Sequence, residues 1–329
     1  MKQSHLAMVL VIAAIIAVFL SIRFGSVPLT NQEFFLALLG GGSDTHREIL
    51  FQFRFPRVVL GLLVGGGLAL AGSVFQALLR NPLAEPFILG ISGGAAAGAV
   101  LVIALGFAAV GSLILPAAAF GGALLAILLV FGVAAATDKR MDVRVLLLAG
   151  VVVGSFFTAV IAFILSLSEA RAVRSAIVWM MGSLAGADWG SAAVVAAYTL
   201  PAALVLLGLA RALNLMAVGE ETAAYLGADV EKVKRIAYVV ASLMTAAGVA
   251  VAGVIGFVGL IVPHGIRLLV GSDQRYLLPL SFLAGAVFLC LADLLARVAL
   301  APIEIPIGVI TAFVGVPLFL VLLRRSMTA

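Results

Sequence analysis

The sequence predicts an all-α integral membrane protein with about ten transmembrane helices. Hydrophobic residues make up 64% of its 329 residues, charged residues make up 11%, and the mean hydropathy is +1.28. A soluble domain is typically about 45–50% apolar and about 25% charged. Several apolar runs also exceed the roughly 18 residues that mark a membrane span. A soluble fold could not bury this much apolar surface, so lipid is the expected solvent.

Ten candidate spans follow one another in a single predicted transmembrane domain over residues 1–329. The first is expected to be a retained helix, because Ser21-Ile22-Arg23-Phe24 offers no small-residue cleavage site for a signal peptide. The eighth is short and contains Pro263, which predicts a half-length helix or a bent pair with the seventh. The spans are 6–22, 58–79, 87–106, 113–136, 145–166, 191–210, 236–257, 258–270, 276–298 and 306–323.

Lysine and arginine are distributed unequally between the two sides of this topology. An excess of these residues marks the cytoplasmic side of a membrane protein, so both termini are predicted to be cytoplasmic. The richer side holds thirteen of them: Lys2, Arg80, Lys139, Arg140, Arg144, Arg211, Lys232, Lys234, Arg235, Arg267, Arg275, Arg324 and Arg325. The other side holds seven: Arg23, Arg47, Arg54, Arg57, Arg171, Arg174 and Arg297.

The stretch "RNPLAEPFILGISGG", residues 80–94, places polar residues and two prolines between two apolar runs. Pro82 and Pro86 disfavour helix in the residues before them, which predicts a tight turn on the cytoplasmic side. The simple interpretation is a connector between helices. The alternative is a turn with a function of its own.

Glycine spacing and an internal similarity indicate how the helices pack. Pairs of glycines at i, i+4 let helix backbones approach closely in lipid; they are Gly61/Gly65, Gly94/Gly98 and Gly182/Gly186. "GLALAG" (67–72) also resembles "GVAVAG" (248–253). At the same offset, Pro82 matches Pro263 and Gly90 matches Gly271. These matches predict an inverted repeat of spans two to five and seven to ten.

Several classes of function lack their sequence signals. No lysine follows a glycine, so the chain has no P-loop for ATP. The three histidines are scattered and Cys290 is single, so no metal-site spacing exists, and no cofactor is expected. The net charge of +5 needs no nucleic acid, because cytoplasmic loops account for it. Asp293 and Arg297, at i, i+4, are interpreted as an ion pair on one helix face.

Longer motifs occur in a fixed order along nearly the whole chain. They are "RFPRVVLGLLVGGGLALAGSVFQALLRNPLAEPFILGISGGAAAG" (54–98), "VLLLAGV" (145–151), "WMMGSLAGADW" (179–189), "GEETAAYLGADVEKVKR" (219–235), "GVIGFVGLIVPHGIRLLVGSDQR" (253–275), "ADLLAR" (292–297) and "EIPIGVITAFVGVPLF" (304–319). This series resembles the FecCD-type permease subunits of ABC importers for iron–siderophores, haem and cobalamin. The likeness is specific for the family and weakly informative about substrate.

The resemblance implies a homodimer around a central pathway, with two ATP-binding cassette ATPase subunits and a periplasmic or lipoprotein solute-binding protein as partners. It places Asn81 and Leu83 near a cytoplasmic constriction. Val143 and Arg144 match a second cytoplasmic gating position, where Arg144 departs from the family's small polar residue.

Residues 211–235 form the longest and most charged cytoplasmic loop. Glu220 and Glu221 suit the start of a short helix, because the helix dipole favours acids there. Gly227 is expected to break the chain before Lys232, Lys234 and Arg235 close a second short helix. The resemblance makes this loop the ATPase coupling site, through Gly219, Glu220, Ala224, Leu226 and Gly227.

The opposite side carries two further groups of candidates. The residues 171–189 are too short to span the membrane and predict a short helix at the periplasmic mouth, with Trp179, Gly182 and Trp189. Arg54, Arg57 and Arg297 either anchor the chain at the interface or, as the resemblance implies, receive acidic residues of the binding protein.

These observations predict a multi-pass transporter subunit in a bacterial or archaeal cytoplasmic (inner) membrane. It would pass haem, a corrinoid or a ferric siderophore and perform no chemistry itself. An ion-coupled secondary transporter is the alternative, and it would need an intramembrane ionisable residue such as Asp293. An intramembrane enzyme is a second alternative, for which the spans contain no evident catalytic pair.

Overall fold

The structure, a computed structural model, describes residues 3–108, 113–137 and 143–328, and in these residues it is helical with no β-strand. Lys2, Lys139 and Arg140, which entered the orientation count, lie outside the described residues. A π-helical segment, Ile49–Arg54, precedes α4, and a 3-10 turn, Pro86–Leu89, precedes α5. The α-helices are α1 (Gln3–Arg23), α2 (Asn31–Leu38), α3 (Asp44–Glu48), α4 (Phe55–Leu78), α5 (Ile91–Ala104), α6 (Ile114–Thr137), α7 (Val143–Ser166), α8 (Ala170–Met180), α9 (Trp189–Gly208), α10 (Ala210–Val218), α11 (Glu220–Tyr225), α12 (Val230–Ala252), α13 (Val258–Val270), α14 (Gln274–Val298) and α15 (Ile307–Thr328).

The predicted number of spans agrees with the helices of the described residues. Seven helices are long and apolar enough to cross a membrane, and three shorter apolar helices bring the number to ten. Pro263 lies inside α13, which is a half-length helix, the first of the two arrangements predicted for the eighth span. The largest boundary error concerns α12, which begins at Val230 rather than near 236, because the Asp229 side chain caps it by accepting the Lys232 N–H.

Helix α4 forms the centre of the bundle. It contacts α9, α12, α13 and α14, and nearly all of its residues are buried, so it is apolar on every face. A helix that is hydrophobic all round belongs in a core rather than at a surface. The sequence supports this position through the glycines of α4, which remove side-chain bulk where its neighbours cross.

Small residues set the closest helix crossings. A Cβ at Gly65 would lie 2.3 Å from the Gly285 oxygen of α14, and a Cβ at Gly94 would lie 2.3 Å from the Gly122 oxygen of α6. The pairs Gly61/Gly65 and Gly94/Gly98 therefore act in helix packing, as predicted. Gly182 does not, because it lies in the turn after α8 with a φ of +76°, and a Cβ at Gly186 would meet no atom within 4 Å.

The described helices agree with the predicted repeat in length and in contacts. Helices α4 to α7 have 24, 14, 24 and 24 residues, and helices α12 to α15 have 23, 13, 25 and 22. The first helix of each copy packs on the second and third helices of the other copy. The alignment of the two copies at one fixed offset is wrong beyond the first helix of each copy. It matches Gly90 with Gly271, but Gly90 precedes α5 whereas Gly271 follows α13.

We predict that Gly72→Ala destabilises the protein, because its Cβ would lie 1.9 Å from the Gly259 oxygen of α13. Overpacking of this kind typically costs about 1–3 kcal/mol, which should appear as a lower unfolding temperature in detergent. Gly121→Ala on α6 is the control, because its Cβ would meet no atom within 4 Å. Equal unfolding temperatures for the two variants would contradict this crossing.

Candidate functional site

An apolar cavity of about 610 Å³ lies between the end of α8, the segment 253–257 and helix α15. None of its lining residues carries a charge. Its wall is formed by flexible thioethers, aromatic rings and aliphatic side chains, which suits an apolar molecule rather than an ion. The principal lining side chains are Met180, Met181, Val254, Phe257, Phe313 and Val316.

The break between α12 and α13 forms one wall of this cavity. Gly253 and Phe257 both have left-handed backbone, with φ of +71° and +70°. The Ser183 N–H donates to the Ala252 oxygen, and the Gly308 N–H donates to the Met181 oxygen. These bonds satisfy backbone groups that the helix breaks would otherwise leave unpaired in an apolar environment.

The three residues predicted at the periplasmic mouth occupy different places. Gly182 lies at the rim of the cavity, where a Cβ would be 2.8 Å from the Val254 oxygen. The Trp179 side chain is partly buried against the core, and its backbone oxygen meets Gly253. Trp189 lies apart from them at the start of α9, and its indole N–H donates to the Phe51 oxygen at 2.8 Å.

Residues 79–85 form a compact turn, called here the NPL turn, at the end of the bundle opposite to Trp189. The Asn81 side chain accepts the Leu83 N–H at 2.9 Å, and its backbone oxygen accepts the Ala84 N–H at 3.1 Å. Arg80 has a φ of +47°, and Leu83 is 44% exposed. Asn81 therefore shapes the turn, and Leu83 projects from it.

Val143 and Arg144 begin helix α7. Val143 packs partly against the core, and Arg144 is exposed. The Pro86–Leu89 turn, which follows the NPL turn, contacts α7 at Gly150, where a Cβ would lie 2.2 Å from the Ile88 oxygen. The segment after the NPL turn, rather than Asn81 or Leu83 themselves, therefore meets α7, about two helical turns after Val143 and Arg144.

Helices α10 and α11 replace the pair of short helices predicted in residues 211–235. Gly219 joins them, and Gly227 ends α11 with a φ of +87°. The prediction that Lys232, Lys234 and Arg235 close a separate helix was wrong, since they lie in the first turns of α12. The Lys234 ammonium is almost completely buried and pairs with Glu220 of α11 at 2.5 Å.

Exposed apolar residues lie in and on both sides of α11, within the most charged loop of the chain. Ala224 and Leu226, both predicted coupling residues, are exposed, and Leu226 is 64% so. Val218 and Tyr225, which were not predicted as coupling residues, are still more exposed. Apolar side chains that stand together at the tip of a loop indicate an interaction surface.

Helix α10 is fixed to the start of α14 by Asn214. Its amide donates to Asp273 at 2.7 Å and accepts the Gln274 N–H at 2.8 Å. Hydrogen bonds from the Arg275 and Asn214 side chains hold the pKa of Asp273 well below its usual range, so this carboxylate stays charged at neutral pH. The short helices are therefore attached to the bundle rather than suspended in solvent.

Arg54, Arg57 and Arg297 do cluster, at the end of the bundle opposite to the NPL turn. Arg54 is almost fully buried and donates to the backbone oxygens of Ile22, Arg23 and Val27. Its guanidinium thereby satisfies carbonyl groups at the end of α1. This arrangement connects the first helix to α4, and the hydrogen bonds of Arg54 are made to groups of its own chain.

Asp293 stands between the other two arginines. Arg57 donates three hydrogen bonds to Asp293, through Nε and Nη2, and a bidentate pair to Glu304 at 2.9 and 3.1 Å. Arg297 forms the predicted i, i+4 ion pair with Asp293, at 3.0 Å. Asp293 is 3% exposed and paired on both sides, so it is not a free ionisable group in the bundle.

Two carboxylates in this architecture were missed from the sequence. Glu304 completes the arginine cluster, and Glu85 accepts the Phe257 N–H at the α12–α13 break. Glu85 directly precedes Pro86, and Glu304 lies two positions from both Pro302 and Pro306, so prolines nearby in a connecting segment are the signal that could have singled them out. Their partners are more than 170 positions away, so the contacts themselves were not predictable.

Comparisons with known proteins agree with this architecture. A permease of Halobacterium salinarum, "Cobalamin import system permease protein BtuC", is 44% identical over 90% of this chain and 79% of its own length. "Hemin transport system permease protein HmuU" of Yersinia pestis is 39% identical over 86% of this chain and 85% of its own.

A solved structure described as an inward-facing conformation of a metal-chelate type ABC transporter has the same fold. Its TM-score is 0.85, with 32% identity, and the match covers 98% of this chain and 100% of the other. The profile of the FecCD transport family matches residues 13–325. By sequence and by fold, this chain belongs to the FecCD transport family, the permeases of ABC importers.

Proposed function

We propose that this chain forms the translocation pathway of an ATP-driven importer for a metal chelate. The observation that carries the proposal is the uncharged cavity beside the α12–α13 break, in a chain of the FecCD family. The permease works as a homodimer, with two ATPase subunits and a solute-binding protein. ATP binding and hydrolysis occur in those partners, and the permease itself performs no chemistry.

The cargo is a tetrapyrrole-type chelate, either cobalamin or haem, rather than a ferric siderophore. Relatives at 44% and 39% identity carry the names of cobalamin and hemin transport systems. Methionine and aromatic side chains in the cavity wall suit a broad apolar macrocycle. Specificity beyond this class belongs to the binding protein.

Orientation follows from the basic loops. The end with the NPL turn and α11 faces the cytoplasm, both termini lie there, and residues 1–329 act as one permease domain in the inner membrane. Asn81, Leu83, Val143 and Arg144 border the cytoplasmic gate. Trp179 and Gly182 border the pathway near its periplasmic mouth, while Trp189 anchors α9.

The paired state of Asp293 argues against the two rival functions. An ion-coupled transporter needs an ionisable group that can gain and lose its ion, whereas Asp293 is held by Arg57 and Arg297. The same pairing leaves it unsuited to act as a catalytic acid or base.

The function is tested by uptake into proteoliposomes that contain the permease, its ATPase subunits and its binding protein. We expect ATP-dependent accumulation of unaltered cyanocobalamin or haemin, and little accumulation of ferric siderophores. Uptake that persists without ATP and follows a proton or sodium gradient would instead support an ion-coupled transporter. A chemically changed product would support an enzyme.

A second prediction concerns attachment of the ATPase subunits to α10 and α11. Gly227→Val should weaken their co-purification by about fivefold or more, because left-handed backbone costs a non-glycine residue about 1–2 kcal/mol. Crowding plays no part, because a Cβ at Gly227 would meet no atom within 4 Å. Gly227→Asn is the matched control, since asparagine tolerates this conformation. Equal losses in both variants would disprove the conformational role.

A third prediction concerns docking of the binding protein at the arginine cluster. Glu304 holds one side of the Arg57 guanidinium and is 27% exposed, so it competes with a carboxylate of the partner. Glu304→Gln should strengthen association severalfold, in line with the ~0.2–1 kcal/mol of an exposed ion pair. Arg57→Glu should weaken it and reduce its salt dependence.

The control for this docking prediction is Glu48→Gln, an exposed carboxylate in the segment before α4. It should leave the affinity unchanged. If Glu304→Gln behaves like Glu48→Gln and Arg57→Glu keeps its salt dependence, the three arginines are internal anchors alone.

A further inference from the structure

Glu85 is a partly buried carboxylate at the end of the NPL turn. It forms no ion pair within 4 Å among the described residues, and its Oε1 accepts the Phe257 N–H at 2.8 Å. The bond joins the last residue of the NPL turn to the break between α12 and α13. A carboxylate that is even partly withdrawn from water loses hydration, so this single long-range contact needs a reason.

Phe257 supplies that reason. It is the residue before α13, it has left-handed backbone, and no side chain from its own segment caps the helix. An L-residue adopts this conformation only where its surroundings enforce it. The Glu85 side chain helps to hold this conformation by accepting the Phe257 N–H at the start of the helix.

Gln76 ties the same two regions together a second time. Pro263 lacks an N–H, so the Gly259 oxygen four residues before it loses its usual helical partner. The Gln76 amide fills this gap at 3.3 Å and also donates to the oxygens of Leu260, at 3.1 Å, and Ala84, at 3.3 Å. The NPL turn and the start of α13 therefore share one hydrogen-bonded network.

This network connects a surface of the protein to the cavity. On one side, Gly256 and Phe257 line the cavity wall. On the other side, Arg80 of the NPL turn lies 3.8 Å from Glu220 of α11, which is paired with the buried Lys234. The turn thus stands between the short helices and the wall.

We propose that Glu85 is a positioning residue that locks the cavity wall at 254–257 to the NPL turn, so that a displacement of the turn moves the wall. This inference rests on the proposed function, because the displacement is attributed to nucleotide binding in the ATPase subunits. The hydrogen-bond acceptor, rather than the negative charge, is the essential feature of the side chain.

The test follows the accessibility of the cavity. Phe313→Cys is introduced in a Cys290→Ala background, because Phe313 lines the cavity and is 76% exposed. Reaction with a membrane-impermeant maleimide is measured in the complex with its ATPase subunits, with and without ATP and vanadate. We expect the reaction rate to change at least about fivefold with nucleotide, the lower end of a typical coupling factor.

Variants of Glu85 separate positioning from simple stabilisation. Glu85→Ala removes the acceptor and should reduce the nucleotide effect to less than about twofold, with uptake per ATP hydrolysed falling in parallel. Glu85→Gln keeps an acceptor of the same length and should preserve the effect. Glu169→Ala is the control, because Glu169 is exposed and its side chain makes no capping bond at α8.

Three other outcomes would overturn the proposal. A full nucleotide effect in Glu85→Ala would show that the wall moves without the link. Loss of the effect in Glu85→Gln would show that charge, not hydrogen bonding, matters, and this arm remains decisive if the alanine variant does not assemble. No effect in the unaltered complex would show that the wall does not move. Failure of the ATPase subunits to co-purify would instead refute the proposed function.

Discussion

Backbone hydrogen bonding at broken helices is the constraint on which this structure depends. Within an apolar bundle, a helix that stops short leaves N–H and C=O groups that water cannot satisfy. Here the start of α13 is satisfied by side chains from elsewhere, Glu85 on Phe257 and Gln76 on Gly259. The end of α12 is satisfied by the turn after α8, where Ser183 donates to its last oxygen. These few bonds hold open a non-helical segment, and that segment makes a cavity wall possible.

Small residues allow the remaining helices to come close enough for this arrangement. Gly65 and Gly285 let α4 and α14 cross almost backbone to backbone, and Gly72 does the same with Gly259 on α13. Lipid chains are as apolar as the side chains, so burial alone gives little preference for association, and close contact of backbones supplies it. The central position of α4 follows from its density of glycines, and the broken helix packs directly upon it.

The buried ion pairs lie at the two ends of the bundle. At one end, Asp293 and Glu304 neutralise much of the charge of Arg57 and Arg297. Arg54 instead donates its hydrogen bonds to backbone carbonyl groups. At the other end, Lys234 is buried against Glu220 and fixes α11 to α12. Charges removed from water need such ion pairs or hydrogen bonds to compensate for the lost hydration. These charges are therefore compensated within the chain, and none of the residues that line the cavity carries a charge.

Composition and local pattern determined the membrane class, the ten apolar spans and the family, because these depend on hydrophobicity and on motifs that are contiguous in the chain. They also located the NPL turn, the break at Gly227 and the clustering of the three arginines. Only the tertiary structure decided that Lys232 to Arg235 belong to α12, that the arginines are paired internally, and that Glu85 reaches Phe257. The ion pairs and the Glu85 contact join residues that lie far apart in sequence. The start of α12 depends on the cap at Asp229, which lies in a segment that the sequence predicts as a loop. A one-dimensional pattern reports what a residue can do, whereas the packing of distant segments selects its partner.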